Sequence, residues 1–145
     1  MAYSSTTNLQ TYANNLEVLG DKTPNLKTFI DELQLGTAKY TAVTGTAQAA
    51  AVGSHYIANN GSLVTITLPA TSAVGSTISV IGLGAGGWRV AQNANQLIHK
   101  SGTASTTGTG GHIDSGNRYD AVTLVCTVAD TEWNIIASQG TIATT

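Results

Sequence analysis

The chain has 145 residues, a length suited to one domain with its own core and a short appendage, and its single cysteine rules out an intrachain disulfide. Formal net charge is -2 and only 10% of residues are charged, against about 25% in an ordinary soluble domain, so no basic surface invites nucleic acid or an anionic membrane. Half of the charged side chains fall before Tyr40, and from Tyr40 to Trp88 there is no Asp, Glu, Lys or Arg. A monomer would have to solvate that stretch with Ser, Thr, Asn and Gly alone, whereas an oligomer could bury much of it between copies.

The N-terminal residues read as helical. "MAYSSTTNLQ" has neither the basic start nor the apolar run of a secretory signal, and no apolar stretch reaches the ~18 residues of a membrane span. Leu9, Tyr12, Leu16, Leu19, Leu26, Ile30 and Leu33 recur at steps of three and four, apart from one break between Leu19 and Leu26, and mark a single helical face. Gly20 suits a helix C-terminus, Thr23 an N-cap and Pro24 a first helical position. Two helices are therefore predicted, about 6–19 and 24–34, with Gly36 ending the second. Such short helices need partners, either as a hairpin on their own domain or as a bundle with sister chains. Residues 1–36 are accordingly read as a helical segment and 37–145 as a β-rich domain.

From Tyr40 onward the pattern turns to period two. "SLVTITLP" (62–69), with Leu63, Ile66 and Leu68 as its apolar set, follows a turn at Asn59–Gly61; "STISVIG" (76–82), "GWRVAQ" (87–92) and "QLIHK" (96–100) come next. "AVTLVCTV" (121–128) places Val122, Leu124, Cys126 and Val128 on one face. "ADT" then turns the chain into "EWNIIASQG" (132–140), where Trp133, Ile135 and Ala137 share a face, making the clearest hairpin. "TGTAQAAAVG" (44–53) is ambiguous between strand and helix, and "SGTASTTGTGG" (101–111) reads as a loop with almost nothing to bury and an exposed apex. Eight or so short strands predict a mainly β fold: an antiparallel sandwich or jelly-roll-like knob rather than a doubly wound sheet.

Gly82, Gly84 and Gly87 form the spacing G-x-G-x-x-G after an apolar run, as in a dinucleotide-binding turn. That turn must open a helix whose N–H groups meet the pyrophosphate. Here Trp88, Val90, Asn93 and Asn95 follow, a poor helix start, and no acid for a ribose comes within about 20 residues. The glycines read instead as a tight β-connection where backbones pass closely, and no cofactor is expected.

No catalytic constellation stands out. Asp130 and Glu132 flank a turn; Asp120 and Arg118 are read as a local ion pair shaping a strand entry; His55, His99 and His112 lack metal-ligand spacing. Cys126 lies among apolar residues and reads as a packed core thiol. Trp88, Trp133 and Tyr119 are assigned to core or interface packing. Asn60-Gly61-Ser62 matches a glycosylation sequon but reads as a hairpin turn. The exposed stretch carrying Thr106, Thr107, Thr109, His112, Asn117, Arg118 and Tyr119 is the candidate binding loop.

The order "ITLPATSAVGSTISVIGLGAGGWRVAQNANQLIH…TTGTGG…RYDAVTLVC…TEWNIIASQGTI", across about residues 40 to 142, resembles a β-rich segment found at the C-terminal ends of tailed-bacteriophage tail fibres and other virion surface proteins. Its most specific pieces are "GGWRVAQNA", "YDAVTLVC" and "SQGTI". The resemblance implies a non-enzymatic homotrimer in the virion, made in a bacterial cytoplasm and anchored to other virion proteins by its N-terminal helices. The knob would face a host surface glycan or protein, or solvent. No extended shaft precedes the β residues, which suits a short fibre or spike tip. Decoration of a capsid is the alternative role, and a fibre-borne glycan-active enzyme the rival class, for which the supply of acids is thin.

Overall fold

Short runs of alternating residues, each closed by Gly, Asn or Asp, give twelve strands in the computed structural model, which describes residues 39–145. The expected helices and their apolar stripe lie outside the described residues. The strands are β1 (Tyr40–Val43), β2 (Ala47–Ala49), β3 (Ser54–Ala58), β4 (Val64–Thr67), β5 (Thr77–Gly82), β6 (Trp88–Ala91), β7 (Leu97–Lys100), β8 (Thr103–Ala104), β9 (His112–Ser115), β10 (Ala121–Val128), β11 (Glu132–Gln139) and β12 (Ile142–Thr144). They form a seven-stranded sheet, order β1-β3-β5-β10-β11-β7-β8, and a five-stranded sheet, order β12-β9-β6-β4-β2. The described residues contain no helix.

The antiparallel expectation needs correction, because both sheets are mixed. The first six strands alternate between the sheets, so β1, β3 and β5 run parallel in one while β2, β4 and β6 run parallel in the other. Each crossover that parallel pairing requires is supplied by a strand of the opposite sheet rather than by a helix. Asn60-Gly61-Ser62 thus joins strands of different sheets and is no hairpin. Antiparallel pairing joins β7 to β8, β6 to β9 and β9 to β12, and zips β10 between β5 and β11.

One core fills the space between the sheets. β4 points Val64 and Ile66 inward, with Leu68 continuing the face; Leu63, expected on that face, precedes the strand and is 40% exposed. Ile78 and Val80 of β5, Trp88 and Val90 of β6, Leu124 and Cys126 of β10 and Trp133 of β11 complete the centre. Cys126 is a packed core thiol, with Sγ 3.3 Å from the Ser72 hydroxyl. Ladder irregularities correct two further face assignments. Thr123 pairs with Ala137 but Leu124 with Ile135, so Ile136 is the extra residue and Ala137 turns outward. A second irregularity leaves Val128 45% exposed.

The G-x-G-x-x-G segment connects β5 to β6 and crosses the β3–β4 connection at backbone contact. A Cβ on Gly84 would stand 2.1 Å from the Asn60 carbonyl oxygen, and one on Gly86 2.0 Å from the Ser62 carbonyl carbon. Gly86 N–H donates to Asn60 O and Gly84 N–H to Ala58 O. A strand follows the glycines, not a helix, as their β-connection reading expects. Gly86→Ala should therefore destabilise the protein by about 2–3 kcal/mol in chemical denaturation. Gly45→Ala, where a Cβ meets nothing within 4 Å, should stay within about 0.5 kcal/mol of wild type.

Candidate functional site

The segment read as a long loop is largely pinned. Ser101 and Gly102, at φ 44° and 82°, make the two-residue turn of the β7–β8 hairpin. Beyond β8, the buried Gln92 amide nitrogen faces the carbonyls of Thr106 and Gly108, each at 3.0 Å. The Ser105 hydroxyl donates to Gln92 Oε1 and accepts from Ile98 N–H. Thr106 N–H donates to Thr145 O, and Gly108 N–H to Gln96 O. Gln96 is itself buried and donates to Pro69 O and Asp130 O. A buried amide network of this kind is stable only when fully satisfied, and here it holds the apex in one conformation.

Thr106, Thr107 and Thr109 are exposed on that apex; His112 is half-buried at the start of β9, its Nε2 3.5 Å from Asp114 Oδ2. Asn117, Arg118 and Tyr119 are exposed beyond the other end of β9. At the rise of an extended strand, His112 and Gly116 are about 13 Å apart, so the candidate residues form two separate groups rather than one site. Tyr119, assigned to packing, is 52% exposed in this chain, with the Arg118 guanidinium 4.8 Å from its ring centroid.

Arg118 and Asp120 do not pair, which corrects the ion-pair reading. The buried Asp120 carboxylate accepts N–H from Gly116, Asn117 and Thr141 through Oδ2, and its backbone carbonyl accepts Trp88 Nε1–H at 2.8 Å. Arg118 Nε donates instead to Leu83 O. A carboxylate with a ring of backbone donors is already satisfied, and the neighbouring guanidinium is left to the surface. The bidentate pair is Arg89–Asp114, both contacts 2.8 Å, on the outer face of the five-stranded sheet. Those hydrogen bonds raise the Arg89 pKa, against desolvation that lowers it and with a further rise from the Asp114 charge, so Arg89 is a fixed cation.

The seven-stranded sheet has a different exterior. With Ile78 and Val80 inward, alternation turns Thr77, Ser79 and Ile81 outward. The register carries one outer row through Tyr40, His55, Ser79, Thr123 and Ala137, and the next through Ala42, Ile57, Ile81 and Ala121. The four adjacent strands β1, β3, β5 and β10 contain no Asp, Glu, Lys or Arg. Tyr40, 45% exposed, leans on His55 with ring centroids 5.1 Å apart, and a shallow depression of about 240 Å³ lies over Thr123 and Ala137. Beyond Tyr40 the β1 edge pairs with no other described strand. The uncharged sequence strip therefore has several fates. Tyr56, Val64, Ile66, Ile78 and Val80 are among the residues that enter the core, and β2 and the outer residues of β4 belong to the five-stranded sheet. β1, β3 and β5 turn their other side chains to a neutral outer face whose β1 edge no other described strand pairs. β1 and β3 were not individually legible in the sequence. Their only signal is the weak alternation of "SHYIA".

Among the described residues no three His, Cys, Asp or Glu side chains gather as metal ligands, and no helix is long and apolar enough to cross a membrane. A scan against protein-family models and a search of curated proteins both find no match to the chain. Asp120→Ala, which strands three backbone donors, should cost at least about 2 kcal/mol in chemical denaturation, while Arg118→Ala stays within about 0.5–1 kcal/mol. A double-mutant cycle on the two should give no measurable coupling.

Proposed function

We propose that this chain is a non-enzymatic surface protein of a tailed-bacteriophage virion, a homotrimer of the short-fibre or spike type. In this reading the N-terminal segment anchors it to other virion proteins, and the β knob faces the host or solvent. The observation that carries the reading is the neutral outer face of the seven-stranded sheet, continuous with a β1 edge that no other described strand pairs. Monomeric β proteins protect an edge with charges, proline, bulges or a covering element. Here β1 holds only Tyr40, Thr41, Ala42 and Val43, with Lys39 as the one charge beside it. Interfaces deplete charge at their cores, because desolvating a charge costs more than burying a neutral side chain. Three as the number of copies comes from the resemblance to fibre C-termini, as does the virion setting.

Light scattering of the full chain should give three times the protomer mass, unchanged on dilution through the micromolar range. A monomer would overturn the proposal. Attachment of the purified trimer to host cells supports the fibre or spike role, whereas binding confined to assembled heads would replace it with capsid decoration.

A further inference from the structure

At the far side of the same sheet from β1, parallel pairing sets β7 beside β11, with His99 opposite Asn134 and Leu97 opposite Glu132. Trp133 and Ile98 fill the inner face, so His99, Glu132 and Asn134 all project outward. Beside them the Ser101–Gly102 turn closes an open depression of about 500 Å³ whose lining also includes Ile135. His99 Nε2 lies 2.9 Å from Glu132 Oε2, both side chains being 39% exposed. His99 Nδ1, Glu132 Oε1, the Asn134 amide and the Ser101 hydroxyl make no hydrogen bond to any described residue, and all four border this depression.

We propose that this groove is a binding site for a neutral saccharide. The mutual contact of His99 and Glu132 fixes both side chains and leaves each with one unused polar atom. A carboxylate oxygen that accepts, and an amide that both donates and accepts, match the adjacent hydroxyls of a sugar ring, each of which can do either. The Gly102 turn, where no side chain projects, leaves room for the ring's C–H face. Other ligand classes fit worse. Lys100, the nearest cation in sequence, spends its amine on Ile142 O, and Glu132 stands in the groove, so a phosphate or acidic sugar would meet repulsion. No Phe, Tyr or Trp lines the groove to stack a nucleobase, and two titratable groups are too few to hold a metal ion. The site lies apart from Thr106–Thr109 and Asn117–Tyr119. It takes its biological setting, a host-facing knob, from the reading above, although its chemistry is independent of oligomer number.

The test uses the full chain, isotopically labelled, titrated with methyl α-glucoside, methyl β-galactoside and methyl α-rhamnoside while amide chemical shifts are followed, with glucose 6-phosphate as the anionic comparison. At least one neutral glycoside should give saturable, millimolar-range shifts centred on residues 99–102 and 132–135. Asn134→Ala, a substitution on the sheet exterior, should weaken that binding about tenfold while leaving the rest of the spectrum in place. The proposal fails if none of the glycosides gives a saturable shift, or if the shifts centre on 106–109 or 117–119 and survive Asn134→Ala. It fails equally if the phosphate binds as tightly as the neutral sugars. Light scattering on the same samples separates the two proposals: a monomer that binds sugar overturns the trimer alone, and a trimer that does not bind overturns the groove alone.

Discussion

A β-sheet face exposed to water normally carries charged or strongly hydrated side chains, and this protein lacks them across four adjacent strands. Ile57, Ile81 and Val125 share that face with Ala121 and Thr123, and it ends at the β1 edge, where no other described strand pairs. Both features favour contact with another polypeptide. The neutral face has little hydration to lose, and the edge offers backbone groups that no described strand takes up. The charges of the described residues lie off these four strands: Lys39 just before β1, the Arg89–Asp114 pair on the opposite sheet, Lys100 at the end of β7, Asp130 and Glu132 at the β10–β11 hairpin, and Arg118 and Asp120 in the turn before β10. The outer faces of the two sheets thus differ: four adjacent strands of the larger carry no charge, and the smaller carries the Arg89–Asp114 pair.

That division depends on a fold held together by close backbone approaches as much as by apolar packing. Between β1 and β6 the chain passes from sheet to sheet five times, so its connections must cross at the ends of the sandwich. Gly84 and Gly86 permit one such crossing against Asn60 and Ser62. Elsewhere buried polar groups secure the connections: Gln92 and Gln96 tie down the segment after β8, and Asp120 gathers the donors of the turn before β10 and of the strand entry at Thr141. Positions with small neutral side chains are therefore put to two uses, tight crossings at the ends and a flat exterior on the broad face.

Much of the β architecture was legible from period two alone. β10 and β11 read clearly because eight-residue alternations flank a turn that Asp130 enters at φ 65°, and β4 to β7 were each located within a residue or two. The dinucleotide motif was rejected on the residues after it, and the chain does continue into a strand there. What failed was pairing. A turn signal says where the chain reverses, not whether it stays in its sheet, so parallel ladders built across the sandwich looked like hairpins. β1 to β3 are short and rich in Ala and Ser, with too little amplitude to reveal a period. Bulges are likewise silent: nothing in "NIIAS" announces that Ile136 is the extra residue.

The sites were less legible than the strands. Arg118 and Asp120 invited a local ion pair by proximity, yet the carboxylate is taken by backbone N–H groups that only the folded turn presents. Arg89 and Asp114 lie 25 positions apart, and His99 and Glu132 33, so each meeting needs the strand order before it can be seen. A single charge in the middle of the neutral face is the sharpest probe of whether that face holds copies together. Ile81→Lys places an ammonium where β5 lies between β3 and β10. The account predicts a folded protein, with the circular dichroism of the wild type, that scatters light as a monomer. A variant that keeps the wild-type assembly would contradict it, and so would a wild-type chain that is already monomeric.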